Sequence, residues 1–122
     1  RVLFRSDYLM GAPASSLYKK DTSLYQLIVA HEPAVSQLIE NEGENFLLCG
    51  HTHGGQVRIP FLTTKLLPPG SGKFVKGLYT AQEIGTSVSL QMYTSSGIGM
   101  TRYPFRFLNV PEIVEVNFKT SQ

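Results

Sequence analysis

The chain has 122 residues, 42% of them hydrophobic and 16% charged, with a formal net charge of +2. That suits one small domain with enough apolar content for a core, and it excludes a disordered chain or a polyanion-binding surface. The single cysteine, Cys49, excludes an internal disulfide framework or a Cys-based zinc cluster, and no run approaches the roughly 18 apolar residues of a membrane span.

The first six residues, Arg1 to Ser6 (RVLFRS), are the translation of CGTGTGCTCTTCCGATCT, an end common in sequencing adaptors. They are read as non-native read-through, with the reading frame truncated there, which leaves residues 7–122 for fold reasoning. Ser23 to Ala30 (SLYQLIVA) is a short, nearly continuous apolar run that predicts a strand buried on both faces, and His31 ends it. Pro33 suits the first turn of a helix. Val35, Leu38 and Ile39 then share one helical face, and Gly43 supplies a stop. Asn45 to Gly50 (NFLLCG) predicts the next strand, which delivers His51. A β-α-β unit results, with a histidine at each strand's C-terminal end.

Phe61 to Gly77 (FLTTKLLPPGSGKFVKG) reads as a long surface loop. Its apolar residues among Lys65, Lys73 and Lys76 suit an acyl chain or an anionic membrane surface, or else a loop folded back on its own domain. Leu78 to Ser96 predicts two strands turning near Ile84-Gly85-Thr86, with Val88, Leu90 and Met92 on one face. Gly97 to Pro111 is irregular and aromatic-rich. Glu112 to Phe118 (EIVEVNF) predicts a closing strand with Val114, Val116 and Phe118 on one face, and a frayed tail follows Lys119.

The chain has only three histidines: His31, His51 and His53. In a doubly wound sheet, ligands collect beyond the carboxyl ends of the strands, where all three would lie if the two strands are parallel neighbours. Residues i and i+2 of an extended segment project to one side, so His-x-His can aim two imidazoles at one place. Neutral imidazole is a common donor to zinc, manganese and iron, and the flanking glycines permit positive φ. Two solvated side chains on a glycine-rich turn are the other reading, and His31 at a second strand end favours the metal. The metallo-β-lactamase pattern His-x-His-x-Asp-His fails, because Gly55 and Gln56 stand where Asp and His should be.

Among the other polar residues, Arg58 and Arg102 are candidate phosphate clamps, because a guanidinium pairs bidentately with phosphate oxygens. Arg106 is a third candidate clamp, though an ordinary surface or loop-fixing role is favoured for it, and Glu32 could support a metal ligand but is read first as a residue at the helix N-terminus, where negative charge is favourable. Tyr103, Phe105 and Phe107 are read as packing, and Cys49 as a small buried hydrophobe at a strand end.

The stretch LLCGHTHGGQVRIPF resembles the last metal motif, Gly-His-x-His, of the calcineurin-like metallophosphoesterases. Its Gly-Gly-Gln resembles the branch of bacterial phosphodiesterases and UDP-2,3-diacylglucosamine pyrophosphatases of lipid A synthesis. LIVAHEP is similar to that branch's preceding motif, and SSGIGMTRYPFRFLNVPEI to its C-terminal segment. The resemblance implies an α/β fold, the C-terminal half of a four-layer α/β/β/α sandwich. It implies a phosphodiester or pyrophosphate hydrolase, with a nucleotide-sugar-lipid as one substrate, and a bacterial protein that is cytoplasmic or membrane-associated. His31 and His51 would hold one metal ion and His53 a second, the ions being manganese, iron or zinc. A hydroxide bridging such ions would attack phosphorus in line.

The family's Asp-x-His, Gly-Asp and Gly-Asn-His motifs do not occur, and the only aspartates, Asp7 and Asp21, lack matching neighbours. The expectation is therefore a C-terminal half that is inactive by itself, against the alternative of a degenerate metal- or partner-binding module.

Overall fold

The computed structural model describes residues 2–5, 25–40, 42–101 and 104–119, the first four by their backbone alone. Five strands form one mixed sheet: β1 (Val2–Arg5), β2 (Gln26–Ala30), β3 (Asn45–Cys49), β4 (Gly77–Tyr79) and β5 (Leu90–Thr94). Their order is β1-β2-β3-β5-β4. β1, β2, β3 and β5 run parallel, and β4 closes one edge antiparallel to β5. The pairing of Val2–Arg5 reflects the strand preference of Val-Leu-Phe and does not bear on where those residues come from.

The architecture is α/β, with one sheet and short helices. Among the described residues there is no second sheet of the kind a four-layer sandwich requires. Ile28, Leu47, Leu90 and Met92 line one face of the sheet and are buried there with Val35, Ile39 and Phe74. Burial of a side chain such as Leu47 or Met92 contributes about 1.5–3 kcal/mol. The opposite face, with Leu27, Val29, Phe46 and Leu48, is only half-buried, so the strands are covered fully on one side and partly on the other. Cys49 lies in the core as expected. Burial pushes its thiol up to about 11, against a lowering contribution from its contact with Thr94.

The connection between β2 and β3 is a 3-10 helix, Pro33–Leu38, with Glu32 at its N-cap and Pro33 in the first turn. Pro33, Ser36 and Ile39 are all buried. That spacing of three matches the three residues per turn of a 3-10 helix, whose every turn returns the same face to the sheet.

The expected turn between two strands is present but built differently. A short helix α1 (Ala81–Ile84) fills it, started by a capping box between Thr80 and Glu83 and ended at Gly85 with φ 85°. The Thr-x-x-Glu spacing carries that signal in the sequence.

The predicted strand over Glu112–Phe118 does not form. The segment is held by side chains instead of a ladder. Glu112 accepts from the Ser96 amide at 2.8 Å and pairs with Lys76 at 2.7 Å, and its own amide donates to Gly97. Phe118 meets Tyr25 and Phe46 edge-on. Phe118 thus packs against Phe46 on the half-buried face of the sheet, and the apolar alternation joins no ladder. The 61–77 loop is folded back only in part. Phe74 folds back into the core, whereas Phe61, Leu62 and Leu66 stay exposed. No helix among the described residues is long and apolar enough to cross a membrane.

Candidate metal centre

The parallel register of β2 on β3 brings two strand C-termini side by side. One step beyond the ladder, the Gly50 amide donates to the His31 carbonyl at 3.1 Å. His31 and His51 therefore leave adjacent strands together. Their rings meet edge-to-face with centroids 4.6 Å apart, and His51 Nδ1 lies 2.9 Å from His31 Nε2.

Main-chain carbonyls select the tautomers. His51 Nε2 lies 2.7 Å from the Pro69 carbonyl, which can only accept, so Nε2 carries the proton and neutral His51 presents its Nδ1 lone pair toward His31. His53 is fixed the other way round. Its Nδ1 donates to the Gly99 carbonyl at 3.1 Å and leaves the Nε2 lone pair unused. A backbone acceptor on the far nitrogen is the arrangement that orients ligating histidines.

The turn that carries them is strained. His51, His53 and Gln56 have φ of 66°, 49° and 39°, and Gly54 and Gly55 lie between at 61° and 79°. Non-glycine residues at positive φ cost on the order of 1–3 kcal/mol each and persist only where their surroundings over-determine them. Here the surroundings do. Thr52 is buried, with its hydroxyl donating to Val75 and accepting from Gly54. Gln56 reaches Thr101 and Phe105. Arg106 spans the carbonyls of His53, Ser96, Gly97 and Gly99, and Asn109 donates to His53 as well. Gly54 is enclosed so tightly that a Cβ there would meet Asn109 Oδ1 at 2.6 Å and Ser96 Cβ at 2.7 Å.

The chain is similar to proteins whose names describe one chemistry. It is 32% identical over 117 residues to the uncharacterized metallophosphoesterase YkuE of Bacillus subtilis, a match spanning 94% of this chain and 39% of YkuE. It is 32% identical over 93 residues to the phosphodiesterase YaeI of Escherichia coli, spanning 76% of this chain and 32% of YaeI. A Helicobacter pylori metallophosphoesterase is 37% identical over 99 residues, 80% of this chain and 24% of that protein. The chain belongs to the calcineurin-like metallophosphoesterase family. It spans only about a quarter to two-fifths of these relatives' lengths. No family profile and no solved structure matches it.

Of the residues a metallophosphoesterase reading selects, His31 and His51 are brought into contact. His53 sits on the same turn with a separate partner. Because His51 Nδ1 accepts, His31 Nε2 carries the proton between them, so the two nitrogens face each other in a hydrogen bond. Among the described residues, no three His, Cys, Asp or Glu side chains form a metal-holding group. Glu32 is buried beside His31 in sequence, with Oε2 lacking a hydrogen-bond partner, and does not complete one.

Arg58 lines an open recess of about 410 Å³ with Ile59, Phe61 and Leu108, and no histidine lines that recess. Arg102 and Tyr103 lie outside the described residues. Arg106 is loop-fixing, as its sequence context suggested. Sequence reasoning missed Asn109 and Pro69. A backbone acceptor such as the Pro69 carbonyl leaves no residue-type signal, and Asn109 acts from 56 residues away.

Proposed function

We propose that this chain contributes the histidine-bearing part of a metal-dependent phosphoesterase that hydrolyses phosphodiester or pyrophosphate bonds. The reading rests on the meeting of His31 and His51 at 2.9 Å from two parallel strand ends. In it, His51 Nδ1 and His31 Nε2, once the His31 proton has moved to its Nδ1, would hold one divalent cation, and His53 Nε2 would offer itself to a second. Divalent cations such as manganese, iron or zinc supply Lewis-acid polarisation of the phosphoryl group and a nucleophile at neutral pH. The chain's own work is orientation: Pro69 and Gly99 hold the ligating tautomers, and Arg106 and Asn109 hold the turn. A nucleotide-sugar-lipid, as in the UDP-2,3-diacylglucosamine pyrophosphatases, is the finer substrate reading, supported by the Gly-Gly-Gln after the histidines.

Three imidazoles without a carboxylate between two cations leave their mutual repulsion uncompensated. The 122 residues alone therefore bind one cation weakly and do not turn over. The test is calorimetric titration of the metal-stripped chain with manganese and zinc, beside hydrolysis of bis(p-nitrophenyl) phosphate by the chain and by its full-length gene product. Binding that disappears in His51→Ala, with turnover confined to the longer protein, supports the proposal. Unchanged binding in His51→Ala, or a full-length product inert with every metal, refutes it and leaves a non-catalytic binding module.

A further inference from the structure

We infer that the turn following the histidines is a lipid-docking knuckle that seats this chain on an anionic bilayer surface. Phe61 is 99% exposed at φ 64°, a conformation that an aromatic residue rarely adopts. The turn is stapled in that shape. The Leu62 and Thr63 amides donate to the Ile59 carbonyl at 3.1 and 3.0 Å, and the Thr63 hydroxyl bonds both the amide and the carbonyl of Ile59 at 2.8 Å. A stiff turn that holds a phenyl ring out into water points to something outside that receives the ring.

The surroundings of the ring suit one receiver. Leu66 is 57% exposed in the following 3-10 turn, and Leu108 is 70% exposed beside Arg58, Ile59 and Phe61 around the open recess. Leu108 is held there because Val57 and Phe107 form a parallel bridge, with the Arg58 amide donating to the Phe107 carbonyl at 2.9 Å. Two cations accompany these residues, Arg58 in the lining of the recess and Lys65 in the 3-10 turn that follows. Both are exposed, and among the described residues neither is in salt-bridge range of a carboxylate. Exposed apolar side chains together with cations that no described carboxylate pairs match an interface with acyl chains below and phosphate headgroups at the rim.

The knuckle is mounted on the candidate metal turn. Gly55, two residues beyond His53, lies so close to the Thr63 methyl that a Cβ would overlap it. Docking would thus fix the orientation of the histidine turn toward the membrane plane. The inference does not depend on which bond is cleaved.

The experiment is co-sedimentation of the full-length protein with vesicles of phosphatidylcholine, with or without phosphatidylglycerol. Expected is binding to the anionic vesicles that weakens with salt. Affinity should fall roughly tenfold in Phe61→Ser, from the lost apolar insertion, and roughly tenfold in Lys65→Glu, from the reversed charge. Hydrolysis of a soluble phosphodiester, read in parallel, should not change in either variant, so failure here is distinct from failure of the phosphoesterase reading. Equal sedimentation of wild type and Phe61→Ser, or no sedimentation of wild type, overturns the inference. A Phe61→Trp variant separates the remaining case. Emission that shifts to the blue only on adding vesicles supports docking, and emission already blue-shifted without them shows that another part of the polypeptide covers the knuckle and overturns it.

Discussion

The side-chain amide of Asn109 donates to the main-chain carbonyl of His53 at 2.5 Å, across 56 residues of sequence. The same carbonyl accepts from Arg106 Nη1 at 3.2 Å, so the irregular C-terminal segment grips the histidine turn from outside the sheet. Asn109 Oδ1 is buried without a partner, which offsets part of what the amide contributes.

Asn109→Ala should therefore cost toward the low end of a hydrogen bond's net worth, about 0.5–1.5 kcal/mol. Both the amide contact and the unsatisfied oxygen leave together. A urea denaturation midpoint measures this loss. Destabilisation well beyond that range would show that Asn109 supports more than the turn.

Gly54→Ala should be the harsher change. The new methyl would meet Asn109 and Ser96, and alanine would have to hold φ near 61°. Strain of this kind costs on the order of 1–3 kcal/mol before the clash is counted. Gly85→Ala is the control, because it has positive φ but nothing within 4 Å of an added Cβ. A thermal melt should place Gly54→Ala below Gly85→Ala, and the reverse order would contradict the enclosure of Gly54.

Glu112 gives the fold a pH dependence. Partial burial pushes its carboxyl up, but the hydrogen bonds from Lys76 and the Ser96 amide outweigh that and hold it below the ordinary carboxylate value. The folded value lies under the unfolded one, so the unfolded chain takes up the proton more readily. The contribution is fully present above the ordinary value of about 4.3 and is lost as pH falls through the depressed folded value. Glu112→Gln should be less stable than wild type at neutral pH by up to about 1 kcal/mol. Denaturation midpoints of the two should converge in acid. A gap that does not narrow would show that the ion pair with Lys76 is not the source.

The sequence by itself pointed to strands within 23–30 and 45–50, which form over 26–30 and 45–49, to the helical connection starting at Pro33, and to a histidine just beyond each strand. Continuous apolar runs, a proline with its fixed φ, and glycines around scarce imidazoles are local signals that need no partner to be read. Only the tertiary structure decided that the two strands are parallel neighbours, and so that His31 and His51 meet. The same holds for the tautomers, which the carbonyls of Pro69 and Gly99 impose. The apolar alternation of Glu112–Phe118 misled because a period of two shows which face is apolar but not whether the segment joins a ladder. Phe74 and Phe61 share one loop and one chemistry, yet one is in the core and the other in water. What separates them is the space left beside the sheet, and a one-dimensional pattern carries no record of it.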